Sequence, residues 1–238
     1  MEDLSKKGEP TAASATRSEV WVPLLLALIM PLFFYYYGQK NAYELFFSGS
    51  GAELSADGIF YEFLFGLLFF SLIPVLTWTA VLGKPLSSLG FGAGSWKKGL
   101  ISALFLLPFI LGYAYLAGRI PEFQLRYPRF NYIGMESTAM MLRYYGAAFL
   151  FFWARDLFYR GFLVQGLKGS LGRSGSVFVS ALAAAPMYTG AGIFEGTAGL
   201  IISVLYGWVA VRSGSFLYTA VLSFVWFLTL EMVLIYGF

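Results

Sequence analysis

The sequence predicts an all-α fold, a polytopic transmembrane helical bundle of about seven spans. Three observations carry this. Of the 238 residues, 58% are hydrophobic, 20% aromatic and only 12% charged, where an ordinary soluble domain carries about 25% charged residues. The mean hydropathy is +0.70. The apolar residues also gather into runs separated by short polar turns, and a helix of ~20 apolar residues crosses a hydrocarbon core about 30 Å thick.

The missing residue types narrow the chemistry. There is no cysteine and no histidine. A disulfide framework and thiolate metal sites are excluded, and so is the commonest general base near neutral pH. Only carboxylates remain as ligands, and these suit hard ions rather than zinc, so neither a metal nor a cofactor is expected. A net charge of +3 is too small to point to nucleic acid.

Met1 to Glu19 is polar and mixed in charge and reads as a disordered tail. The chain thus divides into a tail, 1–19, and a bundle, 20–238. The first apolar run, Val20 to about Tyr37, lacks the basic start and small-residue cleavage site of a signal peptide. It reads as a retained span, with Phe33 to Tyr37 as an aromatic interface belt and Pro31 as a kink. The second span covers about Ile59 to Gly83, with Glu62 near its start at headgroup level. A Gly- and Ser-rich connector, Lys84 to Lys98, leads to a third span over about Gly99 to Ala117. A loop from Arg119 to Arg129 follows, with two prolines and three arginines.

The next helical stretch, about Ser137 to Leu167, would be about 46 Å long. That exceeds the apolar thickness of a bilayer, so it tilts or leaves the membrane in its second half. Arg143, near its outer end, reads as a snorkelling residue. After a basic turn with Lys168 and Arg173 come a fifth span (about Gly175 to Tyr188), a sixth (about Ile193 to Val211) and a seventh (about Ser215 to Tyr236). Small residues recur every fourth position in Ser176, Ser180 and Ala184, and again in Gly199, Ser203 and Gly207. Such stripes mark close helix approach, and a seam inside the bundle is expected over a dimer face.

With seven spans, one side of the membrane holds Lys6, Lys7, Arg17, Lys84, Lys97, Lys98, Lys168, Arg173 and Arg212. The other holds Lys40, Arg119, Arg126 and Arg129. Basic residues favour the cytoplasmic side, which predicts a cytoplasmic N-terminus and an external C-terminus.

The stretch from Trp153 to Leu163 carries the chemistry. It places Arg155, Asp156 and Arg160 in a very apolar region, and each ionisable group costs roughly 2.5–3.5 kcal/mol at mid-bilayer on the insertion scale. Asp156 and Arg160 are i and i+4, so they share a helix face and can pair. Arg155 points about 100° away and needs a partner on another helix. The set is either a structural ion pair or the core of an active site. Three more residues stand beside it. Glu195 opens the sixth span, where a helix N-terminus favours a carboxylate. Glu231 lies deep in the seventh, where a hydroxyl across the bundle would pair with it, and Tyr188 ends the fifth.

In order and spacing these residues resemble the CPBP (Abi) family, the type II CAAX-prenyl-endopeptidase relatives, over about Lys84 to the C-terminus. The family's Glu-Glu-x-x-x-Arg motif falls on Arg155, Asp156 and Arg160, followed by Gly161-Phe162-Leu163. Its Phe-x-x-x-His motif falls on Ala184 and Tyr188. Its His-x-x-x-Asn motif falls on Ser223 and Phe227, after a turn, Arg212 to Ser215, similar to the family's own. A bacterial branch adds matches at Tyr127-Pro128, Glu195 and Glu231, and this resemblance implies a bacterial inner membrane.

The resemblance implies a multi-span intramembrane protease fold in which a glutamate activates water and histidines hold water or the oxyanion. This chain lacks both histidines and has Arg155 in place of the first glutamate. A cation beside Asp156 makes it a weaker base. The expectation is a non-catalytic binding or structural subunit that holds another integral membrane protein within the lipid bilayer. The alternative is a divergent intramembrane endopeptidase acting on membrane-anchored or prenylated substrates. In it Asp156 or Glu195 is the base, Tyr188 and Ser223 are donors, Arg160 orients, and Glu231 is a further acid. A small transporter or a lipid- or pigment-binding protein is a third class.

Overall fold

The computed structural model describes residues 17–48, 56–125, 127, 137–188 and 192–237. Among these the chain is helical, with no strand. Five helices are long and apolar enough to cross a membrane: α1 Arg17–Gly38, α2 Asp57–Val81, α3 Trp96–Ala117, α6 Ile193–Ser213 and α7 Leu217–Tyr236. Between them lie α4, Thr138–Asp156, which continues through a wide-turn segment, Leu157–Gln165, and α5, Gly166–Ala184. These two are less apolar. They carry Arg143, Arg155, Asp156, Arg160, Lys168 and Arg173, and the start of α5 is rich in Gly and Ser.

Several boundaries differ from expectation. Helix α1 already includes Arg17, the first described residue, before the expected Val20, and Glu19 pairs with Lys84 at 2.6 Å; residues 1–16 of the expected tail lie outside the described residues. Pro31 removes a helical N–H, and the next turn widens to π-type hydrogen bonding over Phe34–Gly38. The same widening flanks Pro74 in α2, at Leu68–Leu72 and Thr77–Val81. The expected aromatic belt is split. Tyr36 and Tyr37 are exposed, but Phe34 is core and packs on Phe70 and Phe151. The expected basic turn is a break at Gly172, whose φ of 71° suits a residue without Cβ. Pro128, Arg126 and Arg129 lie outside the described residues.

The second half of α4 is the axis of the molecule. Every residue from Leu157 to Gln165 is buried, including Arg160 and Gln165, which puts this segment in the middle of the bundle. It is enclosed by α1, α2, α5, α6 and α7. Its rings form a chain of contacts with α2 and α7: Phe151 on Phe63, Phe158 on Phe70, and Phe152 on Phe227. The stripes of small residues are internal seams. Ser176, Ser180 and Ala184 are buried, and Ser180 Oγ donates to the Tyr159 carbonyl at 2.7 Å. A Cβ on Gly207 would lie 2.8 Å from Val177.

A clasp closes the end of the bundle where α3 begins and α6 ends. The Ser95 N–H donates to the Ser213 carbonyl at 2.7 Å. Ser215 Oγ donates to the Gly90 carbonyl at 3.1 Å, and the Tyr218 hydroxyl to the Ala93 carbonyl at 2.8 Å. Gly94 makes this approach possible, since a Cβ there would lie 2.2 Å from the Ser213 carbonyl oxygen. Gln165 Nε2 donates to the Ala210 carbonyl at 2.6 Å, tying α4 to the last turn of α6.

Candidate functional site

Two neighbouring arrangements share the centre of the bundle. The first is a charged knot. Asp156 ends α4 fully buried. Its Oδ2 accepts a 2.8 Å hydrogen bond from Ser223 Oγ on α7. Its Oδ1 lies 3.6 Å from Arg160 Nε, one turn on, with both side chains almost fully buried. The Arg160 guanidinium sits 5.5 Å from the Tyr159 ring centroid and 5.7 Å from that of Tyr206.

Arg155 behaves differently from expectation. No partner on another helix holds it among the described residues. Its Nη2 reaches back to 4.0 Å from Asp156 Oδ2, and its guanidinium covers the Phe152 ring at 4.5 Å. The rest of its side chain, 22% exposed, faces the second arrangement.

That arrangement is a cavity of about 220 Å³ between α1, α2, α3, α4, α6 and α7. Arg155, Tyr188, Glu195, Ser223 and Phe227 all line it, while Asp156, Arg160 and Glu231 do not. Tyr188 ends a short 3₁₀ turn, Ala185–Tyr188, after α5. Its hydroxyl lies 3.4 Å from Ser203 Oγ. Gly199 leaves room for it, because a Cβ there would stand 2.4 Å from the ring. Glu195, in the first turn of α6, is buried. Glu231 belongs elsewhere: it is fully buried, and Oε1 accepts a 2.6 Å hydrogen bond from the Tyr144 hydroxyl.

Several lining residues did not stand out in the sequence. Glu62, expected at headgroup level, is buried on the cavity wall and accepts from the Lys40 N–H at 3.2 Å. Tyr113, Tyr206 and Trp226 complete the wall, with Tyr113 and Trp226 stacked at 6.0 Å. A carboxylate in an apolar span was the available signal for Glu62. The aromatics carried none, being indistinguishable from packing residues. Among the described residues no three His, Cys, Asp or Glu side chains converge in a way that could hold a metal ion. The cavity can therefore bind through two cations, Lys40 and Arg155, two carboxylates, Glu62 and Glu195, and aromatic faces, and the knot beside it can bear load.

Compared with known proteins, the chain matches no family model, no curated protein and no solved structure.

Proposed function

We propose that this chain is a non-catalytic integral membrane protein of CPBP/Abi type that uses its central cavity, or the lipid-facing surface around it, to hold another membrane protein. The single observation that supports this best is the state of Asp156. It occupies the place where the resemblance puts a catalytic carboxylate, yet it is fully buried, off the cavity wall, and engaged by Arg160 and Ser223. A general base must reach the proton it takes. Arg155, which cannot act as a base at any working pH, takes the cavity-facing place instead.

The same reading has α4 and α5 crossing the membrane with the five more apolar helices, giving seven spans. They pack within that bundle, α4 on α2 and α7, and α5 on α1 and α6. With basic residues retained on the cytoplasmic side, the N-terminus lies in the cytoplasm of a bacterial cell and the C-terminus outside. Purification from native membranes in mild detergent tests the role. A membrane protein that co-purifies at fixed stoichiometry is expected, and a chain that always emerges alone counts against it.

One observation favours the second reading, a divergent endopeptidase: Tyr188, Glu195 and Ser223 line one cavity. There Glu195 would be the base. Cleavage of C-terminally anchored or prenylated membrane substrates, lost on Glu195→Gln, would replace the non-catalytic role with this one.

A further inference from the structure

We infer that the cavity receives the anionic head of a membrane amphiphile, a carboxylate or phosphate on an alkyl chain, with Arg155 as its receptor. The inference rests on reading the cavity as a binding site rather than a hydrolytic one. It adds the chemistry of what enters.

The donors of Arg155 lack acceptors. Arg155 and Arg160 flank one carboxylate in the knot, Asp156, whose Oδ2 accepts from Ser223 at 2.8 Å and whose Oδ1 faces Arg160 at 3.6 Å without a hydrogen bond, while the cavity wall itself carries Lys40 with Glu62 and Glu195. Arg155 approaches only to 4.0 Å, beyond hydrogen-bonding distance. Its guanidinium carries five N–H donors, and none donates a hydrogen bond among the described residues. One face rests on Phe152, Nη2 lies on the Asp156 side, and the side chain lines the cavity. The Tyr206 hydroxyl, on the same wall, likewise makes no hydrogen bond among the described residues. Donors without acceptors in a buried place call for an acceptor-rich guest, and a guanidinium fork matches a carboxylate or a phosphate in shape as well as charge.

The walls choose the rest of the guest. Phe34, Phe151, Phe152 and Phe227 present rings to the cavity, and aromatic surface favours a hydrocarbon neighbour. The volume, about 220 Å³, is below the roughly 300–1,000 Å³ that encloses a whole drug-sized ligand. It suits one end of a longer molecule, head inward on Arg155 and chain leading out.

The test uses the full chain in a neutral maltoside detergent with five probes: palmitate, hexadecyl phosphate, hexadecanol, acetate and inorganic phosphate. Saturable binding of palmitate or hexadecyl phosphate, at one site per chain, is expected by titration and by a rise in unfolding temperature. Hexadecanol should bind at least about tenfold more weakly, since it lacks the charge, and the two head-only anions more weakly still. Arg155→Gln should weaken palmitate at least about tenfold. Arg143→Gln, on the exposed face of α4, should change nothing. Should Arg155→Gln fail to fold, Tyr206→Phe, expected to weaken palmitate severalfold, and the hexadecanol comparison on the unaltered chain decide.

Equal binding of hexadecanol and palmitate, undiminished binding to Arg155→Gln, or no saturable site at all would overturn the inference. Acetate or phosphate binding as tightly as palmitate would overturn it too, making this a small-anion site. None of these outcomes touches co-purification with a membrane protein, so the two readings fail separately.

Discussion

Arg155 and Asp156 are neighbours in the chain and opposites in environment. Asp156 is sealed among Arg160, Ser223 and the rings of α4, with Oδ2 accepting from Ser223 and Oδ1 facing Arg160 at 3.6 Å. Arg155 stands at the edge of a cavity, held by one ring and a distant carboxylate. The knot joins α4 to α7 and has no access to a substrate. The cavity has room for a guest, and its wall carries Lys40, Glu62 and Glu195 beside Arg155. Stability is thus concentrated on one side of a single peptide bond and binding capacity on the other.

Mutations should separate the two sides. The largest effect is expected for Asp156→Ala, which leaves Arg160 buried without its carboxylate. Loss of one partner from a buried pair costs about 3–5 kcal/mol, readable by denaturant titration in detergent; a variant as stable as the parent would break the comparison. Next comes Ser223→Ala. It removes a hydrogen bond to a charged group, worth about 1.5–3 kcal/mol, and should lower the unfolding midpoint in the same assay. Ser203→Ala, on the cavity side, loses only a long 3.4 Å contact with Tyr188. About 0.5–1.5 kcal/mol is the range for a neutral hydrogen bond, and the low end is expected. The smallest effect belongs to Arg155→Gln. With no hydrogen bond to lose, stability should move by about 0.5 kcal/mol or less in either direction. A loss as large as that of Asp156→Ala would mean that Arg155 belongs to the knot.

The sequence made much of the bundle legible because lipid imposes simple rules. Runs of apolar residues had to be helices, since no other open segment satisfies its backbone in hydrocarbon. Five of the expected spans are long, apolar helices near their expected limits. The stripes from Ser176 and Gly199 read correctly as seams, because small residues signal close approach. The i,i+4 spacing of Asp156 and Arg160 was enough to pair them. For Glu231, the expected hydroxyl partner is Tyr144, whose identity needed the tertiary structure.

What was hidden depended on departures from the regular helix. The 100° rule sent Arg155 toward another helix, but a long, flexible side chain at the junction of an α segment and a π segment can reach back to its neighbour. Glu62 was placed at the surface by its position near a helix start, yet the turn carrying Lys40 folds over it. The cavity itself was invisible, since no local pattern distinguishes an aromatic that lines a void from one that fills it.

The clasp at Ser95, Ser213 and Ser215 carries a mechanical consequence. Three hydrogen bonds pin the connector before α3 to the hairpin between α6 and α7, and Gly94 brings the two backbones too close for a side chain to intervene. A set of rods fastened at one extremity spreads at the other, like the arms of tweezers. Whatever passes between these rods should enter from the end opposite the fastening, and a bulkier residue at Gly94 would loosen the pivot while leaving every lining residue unchanged.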